Sequence, residues 1–230
     1  MRPVKPPRTF WQWSRGAIAP WGDLCRALLL ERSLVDPVVL KRPPTQIDMR
    51  LATADDIDMI CALYKDDPWL WLGSETQSWE AGRSLYSDRL SRGERCYLAF
   101  VAGELGHINW TCYRWGDALP GRPLWLGPGE VYTTDALTPV KFRGRGLHAH
   151  VLGTMLNDAR DLGARHAYTL GQVDRPDALK GLYALGWQET GQVTYFQPRG
   201  SDRAYVLSRR GNTAPLFRDQ PSERSGDVPK

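Results

Sequence analysis

The sequence is poor in the residues from which covalent or metal frameworks are built. Its four cysteines, Cys25, Cys61, Cys96 and Cys112, are widely spaced and form no CxxC pair. That argues against a disulfide framework and a zinc site, and makes a reducing cytoplasmic setting the expectation. No run of about 18 apolar residues occurs, which excludes a hydrophobic spanning helix. The most apolar stretch near the start, residues 24–30, is short and carries Arg26, so it does not read as a signal-peptide core. An excess of charge of one sign is nearly missing: 30 Lys and Arg face 26 Asp and Glu, a net +4. So mild a bias gives no reason to expect a nucleic-acid partner. There is no internal repeat, no metal-ligand spacing, and no Ser/His/Asp or Cys/His arrangement that spacing alone supports.

What is present is ordinary in bulk and unusual in one respect. A hydrophobic fraction of 42% and a charged fraction of 24% fit a soluble globular chain. Its 230 residues allow one domain with an appendage. Ten tryptophans stand out, and Trp69, Trp71, Trp79, Trp110, Trp115 and Trp125 fall in or beside expected loops. Their large rigid faces suit a sugar ring or an apolar chain, and equally a core.

Three regions are expected. Residues 1–46 read as an N-terminal appendage: a short helix over 21–34 with an apolar stripe at Leu24, Ala27 and Leu28, then an edge strand at 38–40. Trp11, Trp13 and Trp21 lie among arginines here, so weak contact with a membrane surface is an alternative to plain docking. Residues 47–210 read as the main domain. A strand at 47–51 leads to Thr53 as a helix N-cap with Asp55 and Asp56 in the first turn. A second helix runs to Leu90. A hairpin follows over 96–110, then a Gly- and Pro-rich loop over 116–129, and strands at 131–137 and 167–173. Between those two strands lies the best helical stripe in the chain, from Leu147 through Val151, Leu152, Met155 and Ala159 to Leu162, closed by Gly163. A helix over 176–185 and two more strands close the domain. Residues 211–230 read as a disordered tail. The order predicts an α/β (α+β) fold, with a mixed sheet and helices on both faces.

The chemistry concentrates in Lys141, Phe142, Arg143, Gly144, Arg145, Gly146, Leu147 and His148, between a strand and the best helix. Two glycines in such a turn let backbone N–H groups approach an anion, and the helix start adds unsatisfied donors and a positive dipole end. Arg143 and Arg145 can add charge-assisted contacts to phosphate. A solvated turn with surface arginines is the plain alternative. The segment is not a Walker loop, because no Gly-Lys-Ser/Thr follows. It is not a dinucleotide fingerprint either, because it comes late and lacks the third glycine.

On these residues the chain resembles the GNAT acyltransferase superfamily, over roughly residues 47–207. The family signature is Gln/Arg-x-x-Gly-x-Gly/Ala. Read from Arg143, the last position holds His148; read from Lys141, it holds Gly146 but the first is Lys. Arg175, Ala178 and Gly186-Trp187 stand where the family often has Asn, Ser/Ala and Gly-Phe, and Leu182, with Tyr183 beside it, stands at the usual Tyr. The resemblance implies a mostly antiparallel sheet and acetyl-CoA as co-substrate, with no metal. It implies a cofactor loop of Arg143, Gly144, Arg145, Gly146, Leu147 and His148. It also implies backbone donors at Ala136, Leu137 and Thr138, facing residues 169–173 across a split between strands. The activity implied is N-acyltransfer to a small amine or amino sugar. The short N-terminal segment and Thr138-Pro139 are similar to members from bacterial surface-polysaccharide pathways. Asp135, then Glu130, are the implied general bases and Tyr183 the acid. His107 is a further base candidate because its ordinary pKa lies near neutrality. Each also reads as a structural residue. A catalytically silent acyl-CoA-binding or interaction module with the same fold is the alternative, and a homodimer is compatible with either.

Overall fold

Twelve consecutive residues near the start of the chain set the layout. In the computed structural model, which describes residues 18–40, 46–65 and 79–220, they form strand β1 (Gly22–Ser33), which pairs antiparallel with two later strands at once. The chain continues through β2 (Asp48–Leu51), α1 (Ile57–Lys65), α2 (Trp79–Ser91), β3 (Arg95–Val101), β4 (Glu104–Cys112), β5 (Trp115–Leu119), β6 (Arg122–Trp125), β7 (Glu130–Leu137), α3 (Leu147–Asp161), β8 (His166–Gln172), α4 (Pro176–Ala184), β9 (Gln188–Pro198) and β10 (Tyr205–Gly211). Eight strands form one sheet in the order β10-β9-β1-β8-β7-β4-β3-β2, and β5 with β6 makes a separate hairpin. Every neighbouring pair in the large sheet is antiparallel except β7 and β8.

Helices cover both faces, as the element order predicts. On one face Ile57 and Ile60 of α1 and Tyr86 of α2 pack on Leu98, Ile108 and Trp110. On the other, Val151 and Met155 of α3 pack on Tyr97 and Ala99, while Leu152 and Leu156 reach Val131 and Ala167. Leu98 and its neighbours Tyr97 and Ala99 thus serve opposite faces, as the two-residue period of a strand requires.

Four sequence expectations are corrected. Residues 22–33 are a strand inside the sheet, neither a helix nor an appendage. Ala27, Leu28, Leu29 and Leu30 are all buried, and a strand covered on both faces reads as an unbroken apolar run, which mimics a helical stripe. Residues 38–40 form no strand; they cross α3. Asn157 clamps Val38 there, accepting from its N–H at 2.7 Å and donating to its carbonyl at 3.0 Å. Residues 116–129 are largely the β5–β6 hairpin, with Gly121 at φ 65° in its turn and Leu119, Leu124 and Leu126 buried against Tyr132. Residues 211–217 are ordered and not tail, because β10 runs to Gly211 and Pro215 and Leu216 are buried in a short 3-10 turn. Trp11, Trp13, Trp69, Trp71 and residues 221–230 lie outside the described residues.

The entry to α1 is tied electrostatically. Asp56 accepts from the Thr53 N–H at 2.8 Å, and Arg50 forks both of its oxygens at 2.6 Å. The Arg50 hydrogen bonds outweigh the cost of burial and pull the Asp56 carboxyl down to about 2.

Two measurements test this layout. Leu30→Ala, at a fully buried site of the inner strand, lowers the unfolding free energy by about 2–5 kcal/mol in chemical denaturation, whereas a mobile appendage gives no change. Because the folded-state pKa of Asp56 is depressed, its contribution is present above pH about 4 and is lost as pH falls toward 2. Asp56→Asn therefore removes about 2 kcal/mol at pH 7 and flattens that part of the acid transition.

Candidate functional site

The site begins where a ladder stops. β7 and β8 pair in parallel from Glu130 with His166 to Thr133 with Thr169, and no further. Thr169 closes the ladder with a hydrogen bond from its hydroxyl to the Thr133 carbonyl at 2.8 Å. Beyond it, β7 bulges against β4: Trp110 opposes Thr134, but Ile108 opposes Leu137. Asp135 takes the left-handed conformation there, with φ 51°, which Asp tolerates better than most residues. Asn109 holds the bulge by donating to the Thr134 carbonyl at 2.8 Å. The result is a gap bounded by residues 134–137 on one side and 170–173 on the other. Ala136 is exposed at its edge and Leu137 is buried in the core.

The gap opens toward the Arg-Gly loop. Gly144 at φ 76° and Gly146 at φ 72° both need the left-handed region. A Cβ on Gly144 would meet nothing within 4 Å, so the loop's outer side is open. Gly146 is the N-cap of α3 and offers no side-chain cap. The first backbone bond into the helix runs from the His150 N–H to the Gly146 carbonyl at 3.1 Å. The amides of Leu147, His148 and Ala149 therefore have no helical acceptor. Arg143 and Arg145 are exposed on either side. Arg143 donates to the Thr138 carbonyl at 3.0 Å, and the Arg145 guanidinium lies 5.5 Å from the Phe142 ring centroid. This donor set suits a diphosphate, and the adjoining gap suits a narrow flexible arm, so the residues present fit coenzyme A.

The sequence-predicted catalytic residues fare unevenly. Asp135 lies at the gap, but its carboxylate is ion-paired with Arg89. Arg89 is buried and also donates to Glu94 at 2.7 Å. Its guanidinium stacks 4.2 Å from the Trp110 ring centroid. Asp135 is thereby paired and pins the bulge. Glu130 is corrected: it sits at the opposite, paired end of β7. Burial would raise its pKa, but Arg218, the Gly127 N–H at 2.8 Å and Tyr168 together hold it low. It anchors the hairpin's return. Tyr183 is also corrected. It is exposed, donates to Glu189, and has its pKa pushed up to about 12, first by desolvation and then by that carboxylate. One residue along a helix turns about 100°, and Leu182 takes the inward position.

The structure places His107 beside Thr138 and His148. The side chain is fully buried, its Nδ1 lies 2.7 Å from the Thr138 hydroxyl, and its ring meets His148 edge-on at 5.4 Å. Burial, reinforced by His148, drives its pKa well below the ordinary value. Burial also pushes His148 down to about 4. Both rings are therefore neutral at pH 7, and His107 fixes Thr138 rather than carrying charge. Arg89 and Asn109 were not foreseen. Nothing in their local sequence ties them to the bulge, because the partners they hold there lie 46 and 25 residues away.

Scans of the sequence against protein-family models and curated proteins find no match. The fold does match solved structures. A GNAT-family acetyltransferase from Novosphingobium aromaticivorans aligns with a TM-score of 0.52 at 17% identity, over 75% of this chain and 63% of its own. A GCN5-related N-acetyltransferase from Sphaerobacter thermophilus gives 0.56 at 13% identity, over 87% of this chain and 56% of its own. An aminoglycoside N-acetyltransferase in complex with CoA gives 0.50 at 16% identity, over 66% and 93%. The chain spans less than two thirds of the length of the first two. It has the GNAT fold, with a mostly antiparallel sheet parted beside the Arg-Gly loop. Among the described residues no group of three or more His, Cys, Asp or Glu is placed to hold a metal ion.

The loop geometry makes a direct prediction. Gly144→Glu or Gly146→Asp places a side chain at positive φ and a negative charge among the donors. Coenzyme A affinity falls at least tenfold by calorimetry while the fold is retained, and unchanged affinity in a folded variant refutes the assignment.

Proposed function

We propose that the protein is an acyl-CoA-dependent N-acyltransferase that acetylates a small primary amine, with amino sugars the first acceptors to try and the cytoplasm its setting. The observation that carries this reading is the parting of β7 and β8 directly beside an uncapped helix start bearing two left-handed glycines. Amide groups from Gly144 to His148 hold the diphosphate, with charge from Arg143 and Arg145. The gap takes the pantetheine arm and orients the thioester. Main-chain donors between Ala136 and Thr138 stand where the acyl oxygen gains charge. His107, neutral and tied to Thr138, keeps that stretch in register. Coenzyme A supplies the activated acyl carbon; the chain supplies position and proton handling.

A silent acyl-CoA-binding module is a second reading, favoured by one specific fact: Asp135 and Tyr183 are both engaged, by Arg89 and Glu189. Free-thiol release from acetyl-CoA separates the two. With glucosamine, putrescine and L-lysine as acceptors, the enzyme reading expects turnover with at least one above the amine-free rate. Coenzyme A binding without turnover on any of them supports the silent module.

A further inference from the structure

Two turns enclose a cavity next to the ion pairs that hold the bulge. The turn from α2 to β3 closes on Gly93, at φ 81°, with the Glu94 N–H donating to the Arg89 carbonyl at 3.1 Å. That helix cap sets Arg92 and Glu94 beside each other. The opposite wall is the bend between β4 and β5, where Tyr113 and Arg114 follow Cys112 and precede Trp115. Together Arg92, Glu94, Tyr113, Arg114 and Trp115 line a cavity of about 190 Å³. Pockets for whole ligands run to roughly 300–1,000 Å³, so this one takes one end of a small molecule.

The groups in its wall are unequally committed. Glu94 is the carboxylate of the lining, and both of its oxygens are taken. One accepts from Arg89 Nε at 2.7 Å and from the Cys112 thiol at 3.2 Å. The other accepts from Arg92 Nε at 3.2 Å and Nη2 at 2.7 Å. Those bonds hold Arg92, together with the Trp115 ring centroid 4.5 Å from its guanidinium. Its Nη1 has no partner among the described residues. Arg114 is exposed, and its guanidinium makes no hydrogen bond or ion pair among the described residues. Counting the lining with the groups bonded to it in turn, Arg89, Arg92 and Arg114 meet Glu94 and Asp135, three positive charges against two negative. Asp117 is exposed on β5 and stands outside the lining. Arg89 bonds both Glu94, in the cavity wall, and Asp135, at the gap, so wall and gap are a single guanidinium apart.

Resting on the acyltransferase reading, we propose that this cavity holds an anionic group of the acceptor, a carboxylate or a phosphate, between Arg92 and Arg114, with the acceptor's amine toward the bulge. Uncommitted N–H donors face the cavity from both arginines, and charge-assisted hydrogen bonds to such an anion are the strong kind. Arg92 is already held by Glu94 and Trp115, so binding costs it little conformational freedom. Repulsion from Glu94 is offset, because Arg89 and Arg92 match its charge at bonding distance. The substrate class is thereby narrowed to small amines that also carry an anion.

The test pairs each anionic amine with the amine lacking only that group: L-lysine with cadaverine, and glucosamine 6-phosphate with glucosamine. Calorimetry with coenzyme A present reads binding, and free-thiol release from acetyl-CoA reads turnover. The wild type is expected to bind the anionic member of one pair at least about tenfold more tightly, and the pair that shows it tells carboxylate from phosphate. Added salt lowers the preference. Arg114→Gln removes it and Arg114→Lys keeps part of it, while retained coenzyme A affinity shows that both variants are folded. Equal affinity within both pairs, no binding of either anionic amine, or a preference that survives Arg114→Gln overturns the anion site and leaves the acyltransferase reading to the turnover measurement. Anion-dependent binding without turnover of any amine upholds the site and overturns that reading.

Discussion

The parallel ladder between β7 and β8 lasts four residue pairs and then ends, and the site depends on that ending. A backbone that leaves a sheet interior exposes polar groups that need partners. Here the departure is forced and stabilised from the other side of β7. Asp135 in its left-handed conformation inserts an extra residue, Asn109 takes up the Thr134 carbonyl, and Arg89 holds the Asp135 carboxylate. The bulge turns a continuous sheet into one with a slot, and the same turn carries the chain to Thr138, the Arg-Gly loop and the mouth of α3.

The two faces of the sheet divide the electrostatics. On the α3 face, His107 is buried and His148 half-buried, both neutral, and Arg143 and Arg145 stand exposed at the rim. On the face covered by α1, α2 and the hairpin, ionised groups are dense. Arg89 and Glu94 are nearly buried, an arrangement that is costly unless fully partnered. Arg92, Cys112 and the Trp110 ring complete that partnering. The sheet thus has a neutral, amide-rich side and an ionic side, joined at the bulge by Asp135 and Arg89.

Legibility followed the range of the interactions. The strand, loop and helix from residue 130 to 163 were readable because periodicity, glycine punctuation and helix-end physics are local. The boundaries of β3, β4, β8 and α4 were readable within a residue or two for the same reason. β1 was misread because its four consecutive buried residues record coverage on both faces, information that belongs to β8 and β9. The hairpin was misread because Gly121 and Pro123, which shape a tight turn and an edge strand, look like loop composition until Leu119 and Leu124 are seen to share a face. Asp135, Ala136, Leu137, Thr138 and the loop were placed at the site by their position along the chain. Glu130 and Tyr183 were not, because a single register step or half a strand length decides which way a side chain points.

From residue order alone came the succession of strands and helices that makes a mixed sheet covered on both sides, and the two-glycine turn at the start of the central helix, since periodicity and turn chemistry act within a few residues. Folding decided that the N-terminal segment fills an inner lane of the sheet and that Asp135 is paired with Arg89. Those outcomes depend on which distant elements pack together, and pairing over 46 residues leaves no trace in local pattern.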